Sequence, residues 1–392
     1  MQIIIPMSGF GERFKAAGYR IPKPLITINN KTIIQHVVEL FDNNCEFIFI
    51  CNEDHLETKE FNMQKTINSF NLKSKIVSIS PHKLGPVHAV LMSEDHIDLE
   101  KQTIVNYCDF SCYWNFKRFV VKYDLDGSIP AYKNFHPHSI HNNYYAFLKT
   151  KDLKVLDVQE KKPFTDNPID EFASSGTYYF KSGDLMLQYF NKMKDLKLTV
   201  NNEYYVSMSY KPMIIDQLKV YTYNLKHFMQ WGTPEDLHEY KYWSDIFESL
   251  IEESEPPQHD GALLLPMAGK GSRFKAQGYH KIKPMIKVSG KPMFEQALND
   301  LPLANLTRLV LRNDKELIEQ VENKNTKDKK KYSIKILNDD TDGQASTALI
   351  GSKDINHESP ITIGACDNGM IYKNKNFIEL MNDSSTDVIV WS

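Results

Sequence analysis

The chain repeats itself at the spacing of a whole domain. The segment Ile3-Ile4-Ile5-Pro6-Met7-Ser8-Gly9-Phe10-Gly11-Glu12-Arg13-Phe14-Lys15-Ala16 returns as Leu263-Leu264-Leu265-Pro266-Met267-Ala268-Gly269-Lys270-Gly271-Ser272-Arg273-Phe274-Lys275-Ala276, with both glycines, the arginine and the lysine kept. The match continues through Gly18-Tyr19 against Gly278-Tyr279 and Lys23-Pro24 against Lys283-Pro284, then reappears at Cys108-Asp109 against Cys366-Asp367. Such a period is far longer than the ~20 to 50 residues of stacked solenoid repeats, so it predicts a tandem pair of like domains. Between the copies, a helical pattern from Pro234 to Glu253 gives way to the polar, proline-broken Ser254 to Gly261, the composition of a linker. The expected organisation is a complete domain over residues 1–250, a linker over 251–260 and a second domain over 261–392. That second copy matches the first only to about its middle and is expected to be incomplete.

Within the first copy, apolar runs at Ile3–Pro6, Phe47–Cys51, Lys75–Ile79 and Thr103–Cys108 alternate with helical patterns at Thr32–Phe41 and from Pro86. Strands alternating with helices predict an α/β fold of Rossmann-like design: a mixed, mostly parallel sheet with helices on both faces. Later runs at Ser128–Tyr132, Tyr145–Leu148, Val155–Val158, Gly176–Phe180 and Leu218–Thr222 read as strands that extend the sheet and wall a pocket. Sheets of this kind bind ligands beyond the carboxyl ends of their strands. In the second copy Asp387–Trp391 reads as a further strand.

At 392 residues and 41% hydrophobic, the chain has enough apolar material for two cores. A net charge of -3 with the signs interspersed argues against a nucleic-acid or membrane-surface partner. No apolar stretch reaches the ~18 residues of a membrane helix, and no basic flank precedes the first hydrophobic run. Five cysteines, mostly in apolar runs, read as reduced core thiols and point to the cytoplasm. Cys108 and Cys112 lack a Cys or His pair at zinc spacing, and the histidines His136, His138 and His141 lack a spaced carboxylate or cysteine, so both groups read as structural. The lysine-rich run from Lys324 to Lys331 reads as a surface connection.

The chemistry concentrates in the repeated motif. A buried strand running into Ser8-Gly9-Phe10-Gly11 makes a loop whose glycines let backbone N–H groups approach phosphate oxygens, and Arg13 adds a fork of donors. The loop is neither a Walker P-loop, which ends in Gly-Lys-Ser/Thr, nor a dinucleotide fingerprint, in which a third glycine is required; Arg13 in that glycine's place disfavours a nicotinamide-dependent oxidoreductase. Lys23 lies in Pro22-Lys23-Pro24, where the prolines fix the backbone and aim a point charge. Asp109, at the end of an apolar run, is placed to bring Mg²⁺ to a nucleotide's phosphates. The second copy keeps Gly269, Gly271, Arg273, Lys283 and Asp367.

These residues resemble the signature of the sugar-phosphate nucleotidyltransferases, spelled here Gly9-Phe10-Gly11-Glu12-Arg13 and Lys23-Pro24-Leu25. Ile5-Pro6-Met7 before the loop and Arg13-Phe14-Lys15 with Gly18-Tyr19 after it are similar to the branch found with capsule and surface-polysaccharide genes. The resemblance implies transfer of a nucleoside monophosphate from a nucleoside triphosphate to a phosphorylated acceptor, a sugar 1-phosphate by preference, with release of pyrophosphate. It implies that Arg13 and Lys23 act in catalysis and that Met7, Ser8, Gly9, Gly11, Gly85 and Cys108 hold the nucleotide. Tyr145, Ala146 and Gly176 would hold the acceptor together with Glu160 and Lys161 of Gln159-Glu160-Lys161-Lys162-Pro163, where the adjacent Lys162 leaves the register open by one, and Asp109 would hold a Mg²⁺. The segment Gln230-Trp231-Gly232-Thr233 departs from the pattern, with Gln230 where a second metal-binding aspartate often stands; Asp236 and Glu203 are the candidates to replace it. That departure keeps alive an alternative from another class, a nucleotide-binding regulatory or assembly module. The base, the acceptor and the oligomeric state, a homo-oligomer included, stay open.

Overall fold

A computed structural model describes residues 1–121, 124–134, 136, 144–252, 256–327, 332–356 and 358–391. The chain divides into two compact units, Met1–Tyr242 and Trp243–Ser392.

The first unit starts from the strand β1 (Gln2–Met7), which turns through the glycine loop into the short helix α1 (Glu12–Ala16). Side chains alternate across a strand, and here Ile3, Ile5 and Met7 enter one apolar cluster while Ile4 enters another. The helix α2 (Ile33–Val38), capped by the Thr32 hydroxyl accepting from the Gln35 N–H, fills the first cluster with Ile33, Ile34, Val37 and Val38. The helix α3 (Pro86–Leu91) fills the second with Val87, Ala89 and Val90. Helices therefore cover both faces of β1, as expected.

The parallel half of the sheet is completed by β2 (Glu46–Asn52), β3 (Ser74–Ile79) and β4 (Thr103–Asn106), in the order β3-β2-β1-β4. After a short strand β5 (Phe110–Tyr113) come β6 (Gly127–Tyr132), β7 (Ala146–Lys151), β8 (Lys154–Glu160), β9 (Phe172–Ser174) and β10 (Thr177–Phe180), followed by β11 (Val220–Asn224) and β12 (His227–Gln230). The full order is β9-β7-β8-β11-β6-β10-β4-β1-β2-β3, and β12 pairs with β5 in a separate ribbon. A mostly parallel sheet holds only for β1 to β4. Beyond them antiparallel pairs prevail, with β6 and β11 the parallel exception. The cause is local. Between β7 and β8 only Asp152 and Leu153 intervene, both with positive φ (50° and 66°), and a two-residue turn of that kind joins antiparallel strands, whereas parallel neighbours need a long crossover.

Helix α4 (Pro234–Glu252) follows β12, and the division between the two units falls within it, after Tyr242. The sheet of the second unit opens with β13 (Gln258–Met267), so three residues read as linker, Gln258 to Asp260, belong to a strand; Gln258 and His259 pair with Leu303 and Ala304 of β14 (Leu303–Arg312) ahead of a bulge. With β15 (Tyr332–Leu337) and β16 (Ile361–Ile363) the order is β15-β14-β13-β16, all parallel. This is the order of β3-β2-β1-β4. The helix α5 (Gln344–Ser352) packs Ala348 against Leu264 and Val310 on one side of this sheet, while Phe294 and Leu298 pack with Leu263, Leu265 and Met267 on the other. The strand expected at Asp387–Trp391 is absent: the segment is irregular, Val388 and Val390 are exposed, and Trp391 stacks on Phe377 instead.

Candidate functional site

At the carboxyl end of β1 the backbone needs the glycines it has. Gly11 takes φ 65°, in the left-handed region that glycine favours. A Cβ on Gly9 would meet no atom within 4 Å, so the loop stands open to a ligand. With Met7, Ser8, Arg13, Gly85, Cys108 and Asp109, this loop lines a cleft of about 470 Å³. A second cavity of about 240 Å³ adjoins it, lined by Tyr145, Ala146, Glu160, Lys161, Gly176, Gln230 and Asp236. Arg13, Lys23, Tyr107, Asp109, Tyr205 and Gly232 line both. The structure thus gathers every residue assigned from the sequence to the nucleotide into one cleft and every residue assigned to the acceptor into the other.

Lys23 begins a 3-10 turn between its two prolines and places Nζ 2.8 Å from Asp109 Oδ2. Burial works against its charge, but the Asp109 carboxylate, by its charge and its hydrogen bond, outweighs burial and holds the ammonium above the usual lysine value. The strand expected to end at Cys108 stops at Asn106, and Asp109 lies in the connection to β5. The Arg13 guanidinium lies over the Tyr144 ring, 4.7 Å from its centroid.

In the second cavity Glu160 is buried and accepts from the Ser207 hydroxyl at 2.6 Å. Burial, opposed by the Ser207 hydrogen bond and by Lys161, pushes its carboxyl up to about 7. Lys161 adopts φ 58°, which turns it into the cavity, where Nζ donates to the Tyr205 hydroxyl at 2.5 Å; Lys162 does not line either cleft. The Tyr205 hydroxyl in turn donates to Glu203.

Gln230 joins this network rather than leaving a gap. Its Oε1 accepts from the Tyr145 hydroxyl and its Nε2 donates to Asp236 Oδ1 at 2.6 Å. Asp236 also caps α4 reciprocally: its Oδ2 accepts from the Thr233 N–H at 3.0 Å, and its own N–H donates to Thr233 Oγ1 at 3.2 Å. A Cβ on Gly232 would stand 3.6 Å from Asp109 Oδ2 and 3.7 Å from Asp236 Oδ2. The two carboxylates therefore face one another across a residue with no side chain. Burial, against the hydrogen bonds from Thr233 and Gln230 and helped by the Asp109 charge, holds the Asp236 carboxyl above the usual aspartate range. Two hard oxygen donors fit Mg²⁺, which commonly takes one or two carboxylates and completes its shell with phosphates and water. Glu203 lies in the nucleotide cleft, engaged by Tyr205. No group of three or more His, Cys, Asp or Glu side chains among the described residues forms a metal cluster.

Sequence reasoning did not single out Tyr107, Tyr144, His82 or Lys83 as lining residues. Apart from its aromaticity Tyr107 carries no signal; adjacency to Cys108-Asp109 was the one clue. His136 is enclosed by Tyr132 and Phe228 and hydrogen-bonds the Phe228 carbonyl, a structural role; His138 and His141 lie outside the described residues, as do residues 328–331 of the lysine-rich run. All five cysteines are buried and unpaired by disulfides, and burial pushes the Cys51, Cys108 and Cys112 thiols up to about 12, far from reactive.

Residues 2–256 match the family described as nucleotidyl transferase. The chain belongs to that family. Among curated relatives, it is 25% identical over 181 residues to the bifunctional protein GlmU of Methanocaldococcus jannaschii, a match covering 46% of this chain and 40% of that protein. It is 35% identical over 98 residues to the GlmU of Methanococcus maripaludis strain C5, covering 25% and 22%. The matched part thus spans less than half the length of these relatives. Among solved structures, the nucleoside-diphosphate-sugar pyrophosphorylase of Vibrio cholerae RC9 superposes with a TM-score of 0.51 at 20% identity, over 61% of this chain and 99% of that one. A UDP-glucose pyrophosphorylase complexed with UDP-glucose gives 0.50 at 20% identity, over 62% and 98%. At that identity the likeness speaks for the nucleotidyltransferase fold. Among the described residues no helix is long and apolar enough to cross a membrane.

Proposed function

We propose that the first unit transfers a nucleoside monophosphate from a nucleoside triphosphate to a phosphorylated acceptor, a sugar 1-phosphate, with release of pyrophosphate. The observation that carries this reading is the meeting of two clefts at Arg13, Lys23 and Asp109. A donor and an acceptor bound side by side would react where those residues stand. The glycine loop holds the triphosphate through backbone N–H groups, and Arg13 and Lys23 oppose the charge that grows on the transferring phosphoryl group. Glu160 and Lys161 bind acceptor hydroxyls and phosphate, so that its oxygen faces the α-phosphorus in line while pyrophosphate leaves opposite; positioning supplies most of the rate. Asp109 and Asp236 would hold Mg²⁺, which when bound neutralises phosphate charge. In this reading the product is an activated sugar for capsule or surface polysaccharide, made in the reducing cytoplasm that five free thiols suit, and the second unit is a partial copy of the first.

The test is pyrophosphate release by the full chain with Mg²⁺ across ATP, GTP, CTP, UTP and dTTP, each with a panel of sugar 1-phosphates and other phosphorylated alcohols. Release is expected to need both substrates and to fall about 10²-fold or more in Lys23→Ala. Gln230 favours one rival, a nucleotide-binding module without turnover. Silence across the panel from protein that binds nucleotide would establish that rival.

A further inference from the structure

We infer that the second unit carries a nucleotide site of its own, which takes a nucleoside triphosphate together with a divalent cation. The inference rests on reading the first unit's larger cleft as the nucleotide site. What carries it is that the second unit repeats part of that cleft's geometry beyond the repeated letters, although Gly271 and Arg273, unlike Gly11 and Arg13, do not line the second cleft.

Gly271 takes φ 62° where Gly11 takes 65°, and Gly278 takes 83° where Gly18 takes 89°. Lys283 Nζ pairs with Asp367 Oδ2 at 2.5 Å, as Lys23 does with Asp109 at 2.8 Å. Lys283 also lies 5.7 Å from the Phe274 ring centroid, against 5.9 Å for Lys23 and Phe14. These elements enclose a cleft of about 410 Å³ at the carboxyl ends of β13 and β16, whose wall includes Gly269, Lys270, Lys283, Asp340, Gly343 and Asp367.

One contact repeats where the sequence does not. In the first unit Glu12, which opens α1, pairs at 2.6 Å with Lys83, on the loop before α3. In the second unit Lys270 pairs at 2.6 Å with Asp340, on the loop before α5. Each unit thus carries an ion pair at the mouth of its cleft, made by residues at positions that do not align in the repeat.

The charges also select the ligand. Lys270 and Lys283 are each held by a carboxylate, Asp340 and Asp367, so the cleft is locally neutral and offers no standing attraction to a bare anion. A phosphate chain arriving with a divalent cation can take the lysines while its cation takes the carboxylates.

Titration calorimetry of the full chain with each of the five triphosphates, in Mg²⁺, counts the sites. The expected total across the panel is two nucleotides per chain, one weakened about tenfold or more by Lys283→Ala and the other by Lys23→Ala, the scale of a lost charge-assisted hydrogen bond. Hydrogen exchange on the unaltered chain localises them without a variant: triphosphate is expected to slow exchange at Ala268–Gly271 and Gly343–Thr347. A single site that Lys283→Ala leaves intact, with no slowing in those segments, overturns the inference. Slowing there with none at Ser8–Gly11 upholds it and overturns the reading of the first unit instead. Slowing at neither loop overturns both.

Discussion

Glu160 shows how a single buried carboxyl can serve the site at a cost to the fold. Its folded value near 7 lies above the ordinary 4.5, chiefly because burial penalises the charge. Between those values the folded protein holds a proton that the unfolded chain has released, so stability is full below about pH 4.5 and falls as pH rises toward 7. The loss is on the order of 3 kcal/mol once the group is ionised in both states. Glu160→Gln keeps an oxygen to accept from Ser207 and removes the titration. The variant is therefore expected to be more stable than the wild type at pH 8, with the gap closing toward pH 4.5. Urea unfolding of the first unit across that range checks this, and curves that run parallel at every pH would show that the carboxyl is not buried in the way described. The residue was legible in Gln159-Glu160-Lys161-Lys162-Pro163, but the choice of lysine was not, because two neighbours of one charge differ only in backbone conformation. The left-handed turn at Lys161 decides it, and no residue type in the motif announces that turn.

Elements were most readable where the structure is local. The glycine loop, the proline-braced Lys23 and the helices beginning at Ile33, Pro86 and Pro234 follow from short-range spelling. Elements that meet only in three dimensions were not readable. The loop before α3 and the segment at Tyr204 bond to one another, Tyr204 N–H to the Leu84 carbonyl at 2.9 Å and Val87 N–H to the Tyr204 carbonyl at 3.2 Å. That seam sets Glu203 and Tyr205 against the nucleotide cleft. Gly85 makes it possible: its φ is 87°, and a Cβ there would stand 2.7 Å from Tyr204 N and 2.8 Å from Tyr204 O. Gly85→Ala is expected to destabilise the first unit by about 2 kcal/mol or more, through a strained backbone and a forced parting of the seam. It should also weaken triphosphate binding, since Tyr205 would move. Unfolding and nucleotide titration together test the point; a variant as stable as the wild type would mean that the seam yields freely.

At the scale of the molecule, the repeat exposed two units because matching strands and loops are spelled alike, while the antiparallel half of the first sheet stayed hidden because partners such as β6 and β10 lie far apart in the chain and are buried on both faces. The same division has an energetic side. The apolar clusters containing Phe180 and Ile3 draw only on the first unit, and those containing Phe294 and Leu264 only on the second. Cores that share no residue can melt separately, and chains of more than one domain commonly depart from a single cooperative transition. Calorimetry of the full chain is expected to resolve two transitions. Phe294→Ala removes a fully buried ring and should cost about 3–5 kcal/mol, lowering one transition and leaving the other in place; Phe180→Ala, equally buried, should lower the other alone. A single transition moved alike by both variants would mean that the two cores unfold as one cooperative body, so that a nucleotide held by either unit would stabilise both.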